Sequence, residues 1–128
     1  MSTGIDIVAV DRLERTIRRR GERFVGRVFT PAERAYCEGR PRPGLHYAGR
    51  FAVKEAVLKA IRTGWVKGIR WTDVEVEIGP HGEPSVRLMG GALERAREIG
   101  IAVIHVSISH TEHYAVGSAV AESEVSAS

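Results

Sequence analysis

The spacing of apolar residues changes several times along this chain, and each change marks an element. Residues 4–10, Gly-Ile-Asp-Ile-Val-Ala-Val, alternate loosely and are rich in β-branched side chains, which predicts a strand with Asp6 near its start. From Arg12 the apolar positions fall at helical spacing, with Leu13, Ile17, Phe24 and Val28 on one stripe and Gly21 expected to end or kink the helix. Thr30-Pro31-Ala32-Glu33 combines a hydroxyl cap, a proline at the first helical position and a glutamate at the third, so a further helix starts there and stops near Gly39. Two prolines and a glycine make 40–44 a loop. The segment from about Leu45 to Arg62 is apolar nearly all round, a pattern that predicts a long helix buried in the centre of the domain.

The second half is strand-rich. Val74, Val76 and Ile78 alternate with Glu75 and Glu77, predicting a strand over 69–78, and Pro80-His81-Gly82-Glu83-Pro84 turns it into a partner over 85–89. Residues 91–99 read as a short amphipathic helix, 102–109 as a buried strand and 114–121 as a final strand, with His110 to His113 as a tight link. Helices grouped early and hairpin-linked strands late imply an α+β fold, a mostly antiparallel sheet packed with a long central helix. One domain is expected over 1–122, with 123–128 as a flexible tail.

Composition adds three constraints. Apolar content of 43% with 27% charged residues is that of an ordinary globular domain. No basic segment precedes an apolar stretch at the N-terminus and no run approaches the roughly 20 apolar residues of a membrane span, so a cytoplasmic protein without a membrane partner is expected. Cys37, the one cysteine, excludes an intramolecular disulfide and is expected as a small, partly buried side chain.

Net charge is only +3, but seven arginines (12, 15, 18, 19, 20, 23 and 27) face two acids between Arg12 and Arg27, giving +5 there and leaving about −2 for the remainder. Such a face attracts a polyanion or an acidic protein surface, and guanidinium forks pair carboxylates or phosphates bidentately.

The candidate chemistry lies in the central helix. Glu55 sits in a segment otherwise built for burial, and a second acid, Asp6, sits in the apolar first strand; two such carboxylates imply a hard cation between them. Lys59, four residues after Glu55, projects from the same face, and Ala48, Ala52 and Ala56 are expected to leave open space beside the pair. Magnesium suits two carboxylates, because it keeps waters and substrate phosphates for its other positions. No phosphate-binding loop of the nucleoside triphosphatase type and no dinucleotide fingerprint occurs, and His110-x-x-His113 lacks the helical geometry of a zinc site.

Asp6 in a short first strand, Arg12 six residues on, the run Arg50-Phe51-Ala52-Val53-Lys54-Glu55-Ala56-Val57-Leu58-Lys59-Ala60 and the late Val106-Ser107-Ile108-Ser109-His110 together resemble the holo-acyl-carrier-protein synthase family over about residues 4–121. These are phosphopantetheinyl transferases of the small, single-repeat type. The resemblance implies a trimer with active sites between neighbouring subunits. It also implies transfer of the 4′-phosphopantetheine arm of coenzyme A to a serine of an apo acyl carrier protein, releasing adenosine 3′,5′-bisphosphate. By the same resemblance Asp6, Glu55 and Lys59 are the catalytic set, with Asp6 and Glu55 holding Mg2+ and Glu55 expected as the base acting through a water on the ion. Arg50, Lys59, Arg62, Ser109 and His110 are expected on coenzyme A. Arg62 stands where the family commonly has a glycine, either adding a phosphate contact or narrowing the nucleotide mouth. Arg12, Arg20, Arg23 and Arg27 match basic positions that meet the acidic carrier. The alternatives are a non-enzymatic nucleic-acid binder using the arginine face, which leaves Asp6 and Glu55 unexplained, and a coenzyme A-binding module that does not react, which the intact Asp6, Glu55 and Lys59 disfavour.

Overall fold

The computed structural model describes residues 1–63 and 68–123. Of the tail expected over 123–128, Ser123 ends a strand and 124–128 lie outside the described residues. In chain order the elements are β1 (Ser2–Ala9), α1 (Val10–Arg20), α2 (Glu22–Val28), α3 (Pro31–Glu38), α4 (Pro43–Ala60), a single 3-10 turn (Trp71–Asp73), β2 (Val74–Ile78), β3 (Pro84–Leu88), α5 (Gly90–Glu98), β4 (Ile101–His110) and β5 (Tyr114–Ser123). Three strands form an antiparallel sheet in the order β1-β5-β4, and β2 and β3 form a separate antiparallel hairpin.

Small residues let α4 lie directly on the three-stranded sheet. A β-carbon on Gly4 would collide with the carbonyl of Ala56, and one on Gly117 with the backbone of Ala52 and Val53. Ala48, Ala52 and Ala56 are fully buried at this seam. The alanines therefore open no space beside the candidate site; they remove the space between helix and sheet, which is how Asp6 on β1 comes beside Glu55 on α4. One apolar cluster gathers Val10, Leu13, Val28, Phe29 and Tyr47 around α1 to α4, and another gathers Val53, Val57, Ile61, Val74, Ala92 and Ala96 on the far end of α4.

Local chemistry sets the boundaries. Gly21, with φ at +55°, separates α1 from α2. The Thr30–Glu33 capping box forms as its sequence implies, Thr30 N donating to Glu33 Oε1 at 2.9 Å and Glu33 N to Thr30 Oγ1 at 3.3 Å. β1 runs over 2–9 instead of 4–10, so Asp6 lies inside the strand and Val10 already opens α1. β2 starts only at Val74, because Asp73 closes a helical turn by accepting from Arg70 N at 3.1 Å. β4 is not the buried strand expected: His105, Ser107 and Ser109 are exposed, since nothing among the described residues covers the outer face of its sheet. Cys37 is wholly buried rather than partly so.

Candidate active site

The close seam between α4 and the sheet brings together Asp6, Glu55 and Lys59. Lys59 Nζ lies 3.2 Å from Asp6 Oδ1 and donates to the Ile5 carbonyl at 3.0 Å. Glu55 is half-buried; burial first, and then the negative charge of Asp6, push its carboxyl above the ordinary glutamate range, opposed by Lys59. Both acids line a cleft of about 320 Å³ with Arg12, Thr16, Phe24 and Phe51. Two carboxylates repelling each other beside open solvent form a donor set suited to a divalent cation. Among the described residues no three His, Cys, Asp or Glu side chains gather to hold a metal, so Asp6 and Glu55 are a pair without a third protein ligand. Oxygen donors in that number fit magnesium.

The remaining coenzyme candidates are divided. Arg50 and His110 line a second cleft of about 190 Å³ with Tyr36, His46 and Gly49, which shares no residue with the Asp6–Glu55 cleft. Arg50 is only 3% exposed, its guanidinium stacked 4.1 Å from the Tyr36 ring centroid and its Nη1 donating to the His46 carbonyl at 3.4 Å. Its Nε is buried without a protein partner. Burial, then the charge of Arg50, holds the neighbouring His46 imidazole below its ordinary value. A buried arginine that lines a small cleft and has an unpartnered donor is equipped to receive an anion. Ser109 does not join it: strand alternation puts Ser109 in one row with Val116 and Ile7 on the outer face of the sheet. Arg62 is exposed beyond the end of α4 and lines neither cleft.

The arginine face continues from the acid pair. Arg20 and Arg27 line a cleft of about 620 Å³ with Arg70 and Trp71, and Phe24 and Phe51 are common to it and the Asp6–Glu55 cleft. Arg12 lies on the acid cleft itself, whereas Arg23 is exposed on α2 and lines neither.

Several neighbours were not anticipated from sequence. Trp71 stacks on Phe51 at 5.1 Å between ring centroids, forming with Phe24 an apolar floor between the arginines. Lys54, adjacent to Glu55, points the other way, into a fully buried ion pair with Glu33. Proximity to Glu55 in sequence gave no sign of this, because its partner is contributed by another helix.

Residues 2–117 match the family model of the 4′-phosphopantetheinyl transferase superfamily. The holo-[acyl-carrier-protein] synthase of Koribacter versatilis is 46% identical over 122 residues, covering 95% of this chain and 98% of that protein. The protein of the same name from Moorella thermoacetica is 47% identical over 126 residues, covering 98% and 97%. Among solved structures, Helicobacter pylori holo-[acyl-carrier-protein] synthase in complex with coenzyme A superposes with a TM-score of 0.81 at 30% identity, over 94% of this chain and 99% of that one.

Proposed function

This chain belongs to the 4′-phosphopantetheinyl transferase superfamily, and from that premise we propose that it is a holo-[acyl-carrier-protein] synthase, moving the 4′-phosphopantetheine arm of coenzyme A to a serine hydroxyl of an apo acyl carrier protein. The observation that carries this reading is that Asp6, paired with Lys59, shares with Glu55 a cleft whose Phe24 and Phe51 also line the arginine and aromatic cleft. Reacting atoms and partner surface are thereby adjacent.

Asp6 and Glu55 would hold Mg2+, which when bound would supply charge neutralisation on the pyrophosphate of coenzyme A. The carrier serine oxygen attacks the phosphorus nearest the pantetheine. A new P–O bond forms, the bond from that phosphorus to the bridging oxygen breaks, and adenosine 3′,5′-bisphosphate leaves with that oxygen and the electron pair. Lys59 stabilises charge on the phosphate oxygens in this in-line displacement. Glu55, in the same cleft as the carrier-facing Arg12, would take the serine proton through a water on the ion. The nucleophile comes from the partner, which accounts for a site without a serine or cysteine of its own.

Arg50 and His110 receive the nucleotide end of coenzyme A, with Arg62 as a further contact. In one chain these groups and the acid pair open into separate clefts, which supports a site completed between two subunits. The trimer we propose uses the outer sheet face, where Ile5 and Ile7 are 65% and 63% exposed, large values for isoleucines on a strand. No helix among the described residues is long and apolar enough to cross a membrane, and we place the enzyme in the cytoplasm with its carrier. Arg12, Arg20, Arg23 and Arg27 dock that carrier, an acidic protein.

The test is mass spectrometry of a panel of apo acyl carrier proteins incubated with the protein, coenzyme A and magnesium. Gain of one phosphopantetheine arm on a serine is expected. A panel left unmodified by the folded protein would overturn the reading.

A further inference from the structure

The last turn of α4 is closed by a Schellman arrangement in which an arginine stands where glycine is usual. Arg62 N donates to the Lys59 carbonyl at 3.0 Å and Thr63 N to the Leu58 carbonyl at 3.1 Å. Arg62 holds φ at +54°, the one non-glycine residue with positive φ among the described residues. A side chain with a β-carbon is disfavoured there, and such a backbone persists only where its surroundings over-determine it. The surroundings are specific. Arg95 on α5 donates from Nε to the Ile61 carbonyl at 3.2 Å and from Nη2 to the Arg62 carbonyl at 3.1 Å, while its Nη1 meets Glu98 Oε2 at 3.4 Å.

We propose that Arg95 is a positioning residue for the coenzyme site: its planar fork clamps the two carbonyls on either side of the left-handed turn and so fixes the end of α4 that presents Lys59 and Arg62. The inference rests on the transferase reading above. The mechanical link is short. The Lys59 carbonyl accepts the Arg62 amide, and the Lys59 ammonium is the group paired with Asp6. If the clamp is lost, Ile61 and Arg62 lose the donors to their carbonyls, the turn relaxes out of its disfavoured conformation, and the last helical turn carrying Lys59 loosens with it. Arg95 itself touches no substrate. Arg62 in place of glycine makes the turn depend on the clamp, because glycine reaches positive φ without strain.

That dependence gives the test, a double-variant cycle on the full chain with steady-state transfer kinetics, calorimetric titration of coenzyme A and thermal melting. Arg95→Gln is expected to weaken coenzyme A, in both KM and calorimetric affinity, by about tenfold, with the carrier KM changing less than about twofold. Arg95→Lys, which reaches one carbonyl at a time, falls between. Whatever Arg62→Gly does to the rate itself, on that background Arg95→Gln costs less than about threefold, because the turn no longer needs bracing. Equal losses on both backgrounds would overturn the inference. So would a rise in both substrates' KM in step with a fall in Tm, which would mark Arg95 as part of the scaffold alone. Should Arg95→Gln fail to fold, Arg95→Lys on the two backgrounds makes the same comparison. Absence of transfer by the unaltered protein would instead overturn the functional reading, a result distinct from an active enzyme in which the two arginines act independently.

Discussion

Lys54 Nζ lies 2.7 Å from Glu33 Oε1, and neither side chain is exposed to solvent. The pair is fully bonded: Lys54 also donates to the carbonyls of Val74 at 2.6 Å and Trp71 at 3.2 Å, and Glu33 accepts from Thr30 N at 2.9 Å and Val76 N at 2.8 Å. Together they join α3, α4 and the start of β2 behind the aromatic floor of the docking cleft. Burial pushes the Lys54 ammonium below the ordinary lysine range, and Glu33 opposes that shift. Removing one partner strands the other charge in the core. Lys54→Met is therefore expected to cost about 3–5 kcal/mol, and adding Glu33→Gln to it should recover part of that loss. Urea denaturation of the single and double variants measures both.

Gly4 and the Ala56 carbonyl leave no room for a β-carbon between them. Gly4→Ala must push β1 off α4, costing about 1–3 kcal/mol, and it moves Asp6 relative to Glu55. The expected result is a lower urea midpoint together with a higher magnesium concentration for half-maximal transfer. An unchanged magnesium requirement would show that this seam does not set the separation of the acids.

Much of this was legible in sequence because it is local. The Thr30 capping box, the break at Gly21 and the alternation of Val74, Val76 and Ile78 each depend on residues within a few positions. Asp6 and Glu55 stood out because acids in apolar segments need a reason. Most of the errors were non-local. Ala48, Ala52 and Ala56 read as open space, when small residues equally allow a sheet to close on a helix, and only Gly4 and Gly117 across the seam decide which. Lys54 and Glu33 each look like solvated residues until the other is present. Ser109 and His110 were grouped as one contact, yet the period of two along a strand already separates neighbours onto opposite faces. Arg95 gave no sign at all, because its role depends on a dihedral angle 33 positions away.

The arginine face predicts a separation of partner from coenzyme. Reversing Arg20 and Arg27, which flank the Phe24–Phe51–Trp71 floor, to glutamate should weaken carrier binding about tenfold or more and reduce its salt dependence. Coenzyme A affinity should stay within a few-fold, since surface charge is screened over about 10 Å at 0.1 M salt. Separate calorimetric titrations check this. Equal loss of both ligands would place these arginines at the nucleotide or at a subunit interface.

Cys37 gives a prediction in alkaline solution. Desolvation raises its thiol to about 11 from an ordinary value of 9.0. Between those values the unfolded thiol has lost its proton and the folded one retains it, so stability falls as pH rises through this window. Two pH units correspond to about 2–3 kcal/mol. Relative to Cys37→Ala, the natural protein should lose that much more stability between pH 9 and pH 11, and its thiol should resist alkylation at pH 8 until the chain unfolds.

The most direct measurement of the central claim is the transfer rate of Asp6→Asn and Glu55→Gln variants, followed by mass spectrometry of the carrier across a magnesium titration, with the urea midpoint of each variant measured alongside. If these two carboxylates hold the ion that neutralises the pyrophosphate, each variant keeps a near-normal midpoint, transfers at least about a hundredfold more slowly, and is not restored by low-millimolar magnesium. Transfer near the unaltered rate at that magnesium concentration, by either folded variant, would contradict the account.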